Sequence, residues 1–352
     1  MIKAKVVGAG GYGGVGITEL LLRHPEAKLT CLVAATETGM PMSKLYPHLQ
    51  GFCDLMILKP DDPAAQEPAD VVFFSTPDGV GMVQARAELA KGAKVIDYSG
   101  DFRFNSVEDY AEYARRIGRD PVHQAPDLLT QSLYGLPELR RKEYGKGTRL
   151  LGNPGCFAVS CLLGLAPAVQ SKLVDLESVI CDCKTGVSGA GKKASAIHHY
   201  PARYENMTAY RLTGHQHVME VERELGRLAG RPIQVTFTAQ VVPVCRGIMS
   251  CLYGTLAAGI TPADVQEAYR AYHGSNGFVR LCDRQSGVGT AHVRGSNFCN
   301  LIVDVDERTR RLRVVSHIDN LMKGQAGNAL QNMNILFGLP ENTGMSGPGQ
   351  YP

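Results

Sequence analysis

Residues 4–14 read Ala4-Lys5-Val6-Val7-Gly8-Ala9-Gly10-Gly11-Tyr12-Gly13-Gly14, and the order strand, glycine turn, helix around that stretch decides the fold. Apolar residues lead into the turn, and Val15 to Arg23 follows it with apolar side chains at helical spacing. Glycines let such a turn close tightly and leave unpaired backbone N–H groups at the positive end of the next helix, where a pyrophosphate is held. This is the context of a dinucleotide-binding fingerprint. Working outward, the runs 28–35, 70–75 and 93–98 join 3–7 as predicted strands, with a helix predicted over 79–91. Short apolar runs alternating with helices predict an α/β domain, a parallel sheet covered on both faces. From about residue 176 the β-branched runs crowd together, at 234–242, 249–255, 301–305 and 312–316, and predict a second α+β lobe with a broad sheet.

A chain of 352 residues is long for one domain and fits two, each able to bury its own core. Apolar residues make up 44% and charged residues 20%, the balance of a globular protein, with no long apolar run. The N-terminus enters a strand directly, without a hydrophobic signal region, which gives the expectation of a cytoplasmic protein. A formal charge of +3 without a basic block points away from nucleic acid and membrane and leaves a small acidic substrate open. The ten cysteines are scattered, which fits a reducing compartment better than a disulfide framework. Cys181 and Cys183 share one face of a predicted strand, where a buried structural role is expected and no metal.

Near the C-terminus, Met322, Ala326, Ala329, Leu330, Met333, Leu336 and Phe337 recur at helical spacing before Gly338 and Pro340 end the run. The other face carries Gly324, Gly327, Asn328 and Gln331; it suits either close approach of a ligand to the backbone or a tight helix contact.

Chemistry concentrates at Gly152-Asn153-Pro154-Gly155-Cys156. Asn153 is suited to cap a helix whose first turn begins at Pro154 and contains Cys156. A thiolate at a helix N-terminus is stabilised by the dipole and by backbone donors, and such cysteines titrate at roughly pH 3.5–7.5. The same N–H groups hold an oxyanion. Cys161, in the apolar part of that helix, reads as structural. An acid/base partner is sought in His215-Gln216-His217, just ahead of the predicted helix 218–228, with His198-His199 as the rival pair. Arg103 and Arg246 are candidates for anionic substrate groups. At the end of the second strand Thr36, Thr38 and Lys44 suit a 2′-phosphate, whereas Glu37 suits a ribose hydroxyl, so the residues leave NAD against NADP open.

Together these residues resemble the N-acetyl-gamma-glutamyl-phosphate reductases of arginine biosynthesis, within the wider group that includes aspartate-semialdehyde dehydrogenase. The resemblance runs nearly the whole length: the glycine loop, Ile96-Asp-Tyr-Ser-Gly-Asp-Phe-Arg103, Tyr134-Gly-Leu-Pro-Glu-Leu139, Gly152-Asn-Pro-Gly-Cys156, Gly186-Val-Ser-Gly-Ala-Gly191, Glu205-Asn206, His215-Gln-His217, Arg294-Gly-Ser-Asn297 and Ile318-Asp-Asn-Leu-Met-Lys-Gly-Gln-Ala-Gly327. It implies an NADP-binding Rossmann domain over 1–155, an α+β catalytic and dimerisation domain with a mixed sheet over 156–317, and a C-terminal helix over 318–352 returning to the first. It implies Cys156 as nucleophile, His215 as acid/base and NADPH as cofactor. The cofactor would meet Gly8, Gly10, Gly11, Tyr12, Gly13 and Gly14, Thr36 and Thr38, Ser75 and Pro77, Ser188, Gly189 and Gly191, and Lys323, Gly324 and Asn328. Arg103, Asn153, Glu205, Arg246, Ser296 and Asn297 would lie on the substrate side. An acyl phosphate substrate, inorganic phosphate as product and a homo-oligomer, dimer or tetramer, complete what the resemblance implies.

Five positions depart from the family pattern. Gly10 and Gly13 replace a serine and a Thr or Ala in the loop, Asp78 stands where His is usual, Met219 where Pro is, and Gln240 where His is. The run Thr213-Gly-His-Gln-His217 with His198-His199 also resembles lysine-pathway reductases of a carrier-linked aminoadipyl phosphate, and aspartate-semialdehyde chemistry is the third reading.

Overall fold

The computed structural model describes residues 1–274 and 277–351, and the chain divides into two compact units. The first comprises Met1–Pro154 with Gln325–Ser346; the second comprises Gly155–Gly324 with the tail from Gly347.

In the first unit seven strands form one sheet: β1 (Ile2–Val7), β2 (Ala27–Val33), β3 (Ile57–Leu58), β4 (Val71–Phe74), β5 (Lys94–Asp97), β6 (Leu133–Tyr134) and β7 (Leu150–Gly152). Their order is β3-β2-β1-β4-β5-β7-β6 and every pairing is parallel. Parallel strands covered on both faces bury consecutive residues, which is why β4 is the unbroken apolar run Val-Val-Phe-Phe with all four residues buried. Helices α1 (Tyr12–Leu22), α2 (Gly81–Ala90) and α3 (Val107–Arg116) provide cover, the last capped by Ser106, whose hydroxyl accepts from Asp109 N–H.

The strand order reverses between β1 and β4, which sets the loops after these two strands side by side at their carboxyl ends. They touch there: a Cβ on Gly8, whose φ is +87°, would lie 2.1 Å from the Ser75 carbonyl oxygen, and one on Gly13 would lie 2.4 Å from Ser75 Oγ. Close packing of turn on strand is thus what both glycines permit.

A C-terminal helix, Gly327–Leu336, completes this unit and packs on α1 and β5. Its predicted start at Met322 is corrected: residues Met322–Ala326 form a wider π turn, a local feature common at functional sites. Its polar face is a tight internal contact. Asn328 and Asn332 are both fully buried, and the Nδ2 of each donates to Gly135 O, at 2.7 and 2.8 Å, and to Asn153 Oδ1, at 2.8 and 3.2 Å.

The second unit carries β8 (Ile180–Thr185), β9 (Thr208–Tyr210), β10 (Thr236–Val241), β11 (Ile248–Thr255), β12 (Val279–Cys282), β13 (Cys299–Asp306) and β14 (Arg311–Ile318), in the order β12-β13-β14-β11-β8-β10-β9. This sheet is mixed, parallel at β8–β10 and β12–β13 and antiparallel elsewhere. Alternate burial along β11 marks one face turned to the core, where α4 (Cys156–Gln170) lies; α5 (Val218–Ala229) packs on α4, and α6 (Pro262–His273) begins with a Thr261–Asp264 capping box. Cys181 and Cys183 lie on the core face, and the Cys183 sulfur sits 3.5 Å from that of Cys161, so all three are structural.

Because Asn328 and Asn332 serve the same two acceptors, either one partly covers the loss of the other. Asn328→Ala and Asn332→Ala should each cost about 1 kcal/mol, and the double substitution more than their sum, read from urea denaturation midpoints. Simple additivity would show that the shared acceptors are not what the two amides hold.

Candidate active site

Cys156 is the first residue of α4, and the residue before it, Gly155, is the N-cap with extended backbone (φ −72°, ψ 147°). This corrects the expectation for Asn153: it does not cap this helix, because its amide donates to Gln325 O at 3.1 Å and its carbonyl serves Asn328 and Asn332. Gly155 has no room for a side chain, since a Cβ would lie 2.1 Å from His217 Nε2 and 2.9 Å from a Glu220 carboxylate oxygen. The other oxygen of Glu220 accepts the Gly155 N–H at 2.9 Å. A helix start leaves the N–H groups of its first turn without intrahelical acceptors, and here that turn begins at the cysteine. Cys156 is half-buried, whereas Cys161 one turn further on is sealed, and burial holds the Cys161 thiol well above its ordinary range.

A cavity of about 430 Å³ opens at Cys156, lined among others by Gly189, His198, Arg203, Tyr210, Arg211 and His215. His215 is buried, its ring 5.5 Å from Phe157 and 5.0 Å from Phe237 between centroids, and its pKa is pushed down to about 4 by that burial and by the Arg211 charge. Its Nδ1 accepts the His217 backbone N–H at 3.2 Å, and its Nε2 lies 3.4 Å from the Tyr210 hydroxyl. The Tyr210 hydroxyl is held well above its usual range, first by burial and then by the Cys156 sulfur nearby. His217 is equally buried, but its ring covers Gly155. Of the rival pair, His198 also lines this cavity and hydrogen-bonds Ser195 at 2.7 Å.

Of the other expected residues in the second unit, Gly324 lies against the cysteine: a Cβ there would sit 2.7 Å from the Cys156 Cβ. Lys323 is fully buried, its ammonium 5.6 Å over the Phe278 ring. Ser188 is buried behind the cavity wall, its hydroxyl accepting from Asn320 Nδ2 at 3.0 Å, while Gly191 lies at the surface. Arg246 pairs with buried Asp319 at 2.8 Å, Asp319 also accepting the Gly295 N–H at 2.7 Å. Ser296 donates to Val293 O at 2.8 Å and Asn297 is buried beside it; Glu205 is exposed, in left-handed backbone (φ 56°) ahead of β9.

In the first unit Arg103 is a buried clamp, donating to Asn153 O at 2.9 Å and to Tyr98 O, and its expected contact with a substrate phosphate finds those donors already committed. Asn328, expected on the cofactor side, donates its amide protons to Gly135 O and Asn153 Oδ1. The glycine loop fits a dinucleotide: Gly11 caps α1 without a side chain, no acidic residue occupies the first turn, and the Tyr46 hydroxyl anchors Gly10 O at 2.8 Å. Past the end of β2 Thr36 is exposed and Thr38 half-buried, and the Glu37 carboxylate approaches Gly10, 2.8 Å from where a Cβ would stand. Ser75 and Pro77 follow β4 at the neighbouring edge. Sequence reading missed Arg203, Tyr210 and Glu220; only the spacing of Glu220 three residues after His217 gave a signal.

The two domains match known proteins. Residues 3–146 match the model of the semialdehyde dehydrogenase NAD-binding domain and residues 156–320 that of the semialdehyde dehydrogenase dimerisation domain, so the chain belongs to the semialdehyde dehydrogenase family. Aspartate semialdehyde dehydrogenase II of Vibrio cholerae shares the fold at a TM-score of 0.71 and 17% identity, covering 96% of this chain and 98% of its own. Within the family the high identities are to N-acetyl-gamma-glutamyl-phosphate reductases: that of Symbiobacterium thermophilum is 43% identical over 355 residues and that of Pelotomaculum thermopropionicum 40% over 351, each spanning 100% of this chain and 99% of its own.

Exposure sets which thiols react. Iodoacetamide should label Cys156 and the exposed Cys245 in the native protein and leave Cys161, Cys181 and Cys183 untouched, as peptide mass mapping will read. Gly324→Ala should slow labelling at Cys156 and leave Cys245 unchanged; labelling of Cys161, Cys181 or Cys183 in the variant would point to general disorder instead.

Proposed function

We propose that this protein reduces N-acetyl-L-glutamyl 5-phosphate to N-acetyl-L-glutamate 5-semialdehyde with NADPH, releasing inorganic phosphate, in arginine biosynthesis. The carrying observation is a half-buried cysteine at the first position of a helix, opening on a cavity that also holds a buried histidine. Full-length likeness to reductases of that name supports the substrate. Such a helix start favours a thiolate and offers N–H donors to an oxyanion.

Cys156 acts as the nucleophile: its sulfur bonds to the acyl carbon, the carbonyl electron pair moves onto oxygen, and its return breaks the bond to phosphate, leaving a thioester. Phosphate departs with that pair and takes a proton from water. NADPH, when bound to the glycine-rich loop, supplies the hydride that reduces the thioester carbon. The resulting oxyanion closes to the aldehyde as the carbon–sulfur bond breaks and the Cys156 thiolate is restored. His215 acts as the acid/base that manages the proton through these steps. No carboxylate is among the residues lining the cavity, whereas Arg203 and Arg211 are, a balance suited to an anionic substrate.

The first unit would bind the cofactor, with Gly8 to Gly14 cradling the pyrophosphate and Thr36 and Thr38 near the 2′-phosphate. The second would carry the chemistry and the contacts of a homo-oligomer, in keeping with the description of its matching model. A cytoplasmic setting fits cysteines that lie outside disulfides, and among the described residues no helix is long and apolar enough to cross a membrane.

Phosphate-dependent oxidation of N-acetylglutamate, aspartate and aminoadipate semialdehydes, followed by NADPH absorbance, tests the substrate. The first should react fastest, and a clear preference for either other aldehyde would overturn the assignment. Cys156→Ser should lose at least about 10³-fold in turnover while binding NADPH normally, and wild-type turnover would remove the covalent step. Gly13→Ala should instead weaken NADPH binding, measured by fluorescence titration, since its added methyl meets Ser75 Oγ.

A further inference from the structure

Two arginines line the cavity at Cys156, and their surroundings differ. Arg203 is buried and spends its guanidinium inside the protein: Nη2 donates to Ile197 O at 3.0 Å, and Nη1 donates to Asn206 O at 3.1 Å and to Thr208 Oγ1 at 3.0 Å. Those bonds hold the segment 197–208 in shape. Arg211 directly follows β9, is exposed, and lines the same cavity. Its guanidinium donates to the Oε1 of Gln216, a neutral side chain that is also part of the lining. Among the described residues Arg211 has no carboxylate partner. Its backbone is left-handed, with φ at +47°, a conformation that glycine adopts freely and a residue with a Cβ adopts at a cost. Such strain is kept where a side chain has a task.

From this arrangement, and resting on the reaction proposed above, we infer that Arg211 binds the α-carboxylate of the substrate and that Gln216 steadies its guanidinium for that contact. A cation without a counter-charge, facing a cavity whose lining holds no acidic residue, calls for an anion from outside. The lining's other arginine is not available in the same way, because carbonyls and a hydroxyl already occupy it.

The substrate offers two anions, and depth separates them. Its phosphate is bonded to the carbon that Cys156 attacks, so it enters with the reacting end towards the half-buried sulfur at the start of α4. The α-carboxylate sits at the other end of the carbon chain, on the side of the exposed Arg211. Phosphate leaves in the first half of the reaction, whereas the carboxylate stays through both halves. A planar pair of oxygens also matches a guanidinium fork. Holding that end fixes how deep the chain reaches and keeps the acyl carbon at the sulfur while thioester and aldehyde form.

The reverse reaction tests this, because phosphate and aldehyde are then separate substrates with separate KM values. In the full-length protein Arg211→Gln should raise the KM for N-acetylglutamate semialdehyde about 10–100-fold and leave the KM for phosphate within about twofold. A second aldehyde, identical except for a carboxamide in place of the α-carboxylate, isolates the charge. Wild type should disfavour the amide by a similar factor, and Arg211→Gln should treat the two aldehydes alike. Arg211→Gly, whose backbone accepts the left-handed φ, should unfold at the wild-type urea concentration or above while losing the same discrimination, which separates lost recognition from lost folding. A raised KM for phosphate alone, unchanged KM values, or a variant that still prefers the carboxylate would overturn the inference. If the wild-type protein prefers another aldehyde or oxidises none, the reaction assignment falls instead; calorimetric titration of the same two aldehydes into wild type and Arg211→Gln still decides whether the arginine selects the carboxylate.

Discussion

Where Gly155 hands the chain to Cys156, several constraints meet in the space of one missing side chain. The His217 ring fills the position a Cβ would take, and Glu220 holds the Gly155 N–H. That contact ties the start of α4 to the start of α5, the helix that follows the His215–His217 turn. The nucleophile and the histidine are therefore set by one junction. Gly324 presses on the cysteine from another side, so its position is defined by backbone approach and hardly by its own rotamers.

Several buried polar groups elsewhere follow a similar economy, their donors matched to oxygens. Asn153, Asn328 and Asn332 form one such cluster, joining the C-terminal helix to the chain just before Cys156. Arg103 adds a clamp on the Asn153 carbonyl, and Lys5, also buried, pairs with Glu88 at 3.1 Å and with Ala65 O at 2.9 Å. Burying a charge is costly unless its hydrogen bonds are met, so Arg103 serves local order at the expense of the anion contact its charge suggested. Arg203 belongs to the same class, its guanidinium donating to the carbonyls of Ile197, Asn206 and Val241 while it lines the cavity.

Periodicity carried the fold. Strands predicted at 3–7, 28–35, 70–75 and 93–98 lie within two residues of β1, β2, β4 and β5, because parallel strands read as continuous apolar runs. The glycine loop was legible for the same local reason. Less could be read where two segments distant in sequence decide the outcome. Asn153 looked like a cap and Asn328 like a ligand contact, since an amide near a helix end suits either role until its partners are known. The break of the last helix at Met322–Ala326 has no signature in apolar spacing, which a π turn barely disturbs.

Local order thus came from the sequence unaided: the nucleotide-binding turn, the alternation of strand and helix, and a cysteine placed to begin a helix. Each depends on neighbours a few residues apart, whose spacing is written in the chain. Tertiary structure alone decided which ring nitrogen of His215 keeps its lone pair, which cysteines are sealed, and which arginines and asparagines are consumed by carbonyls. Those outcomes depend on hydrogen-bond partners and on depth of burial, and neither exists until the chain has packed.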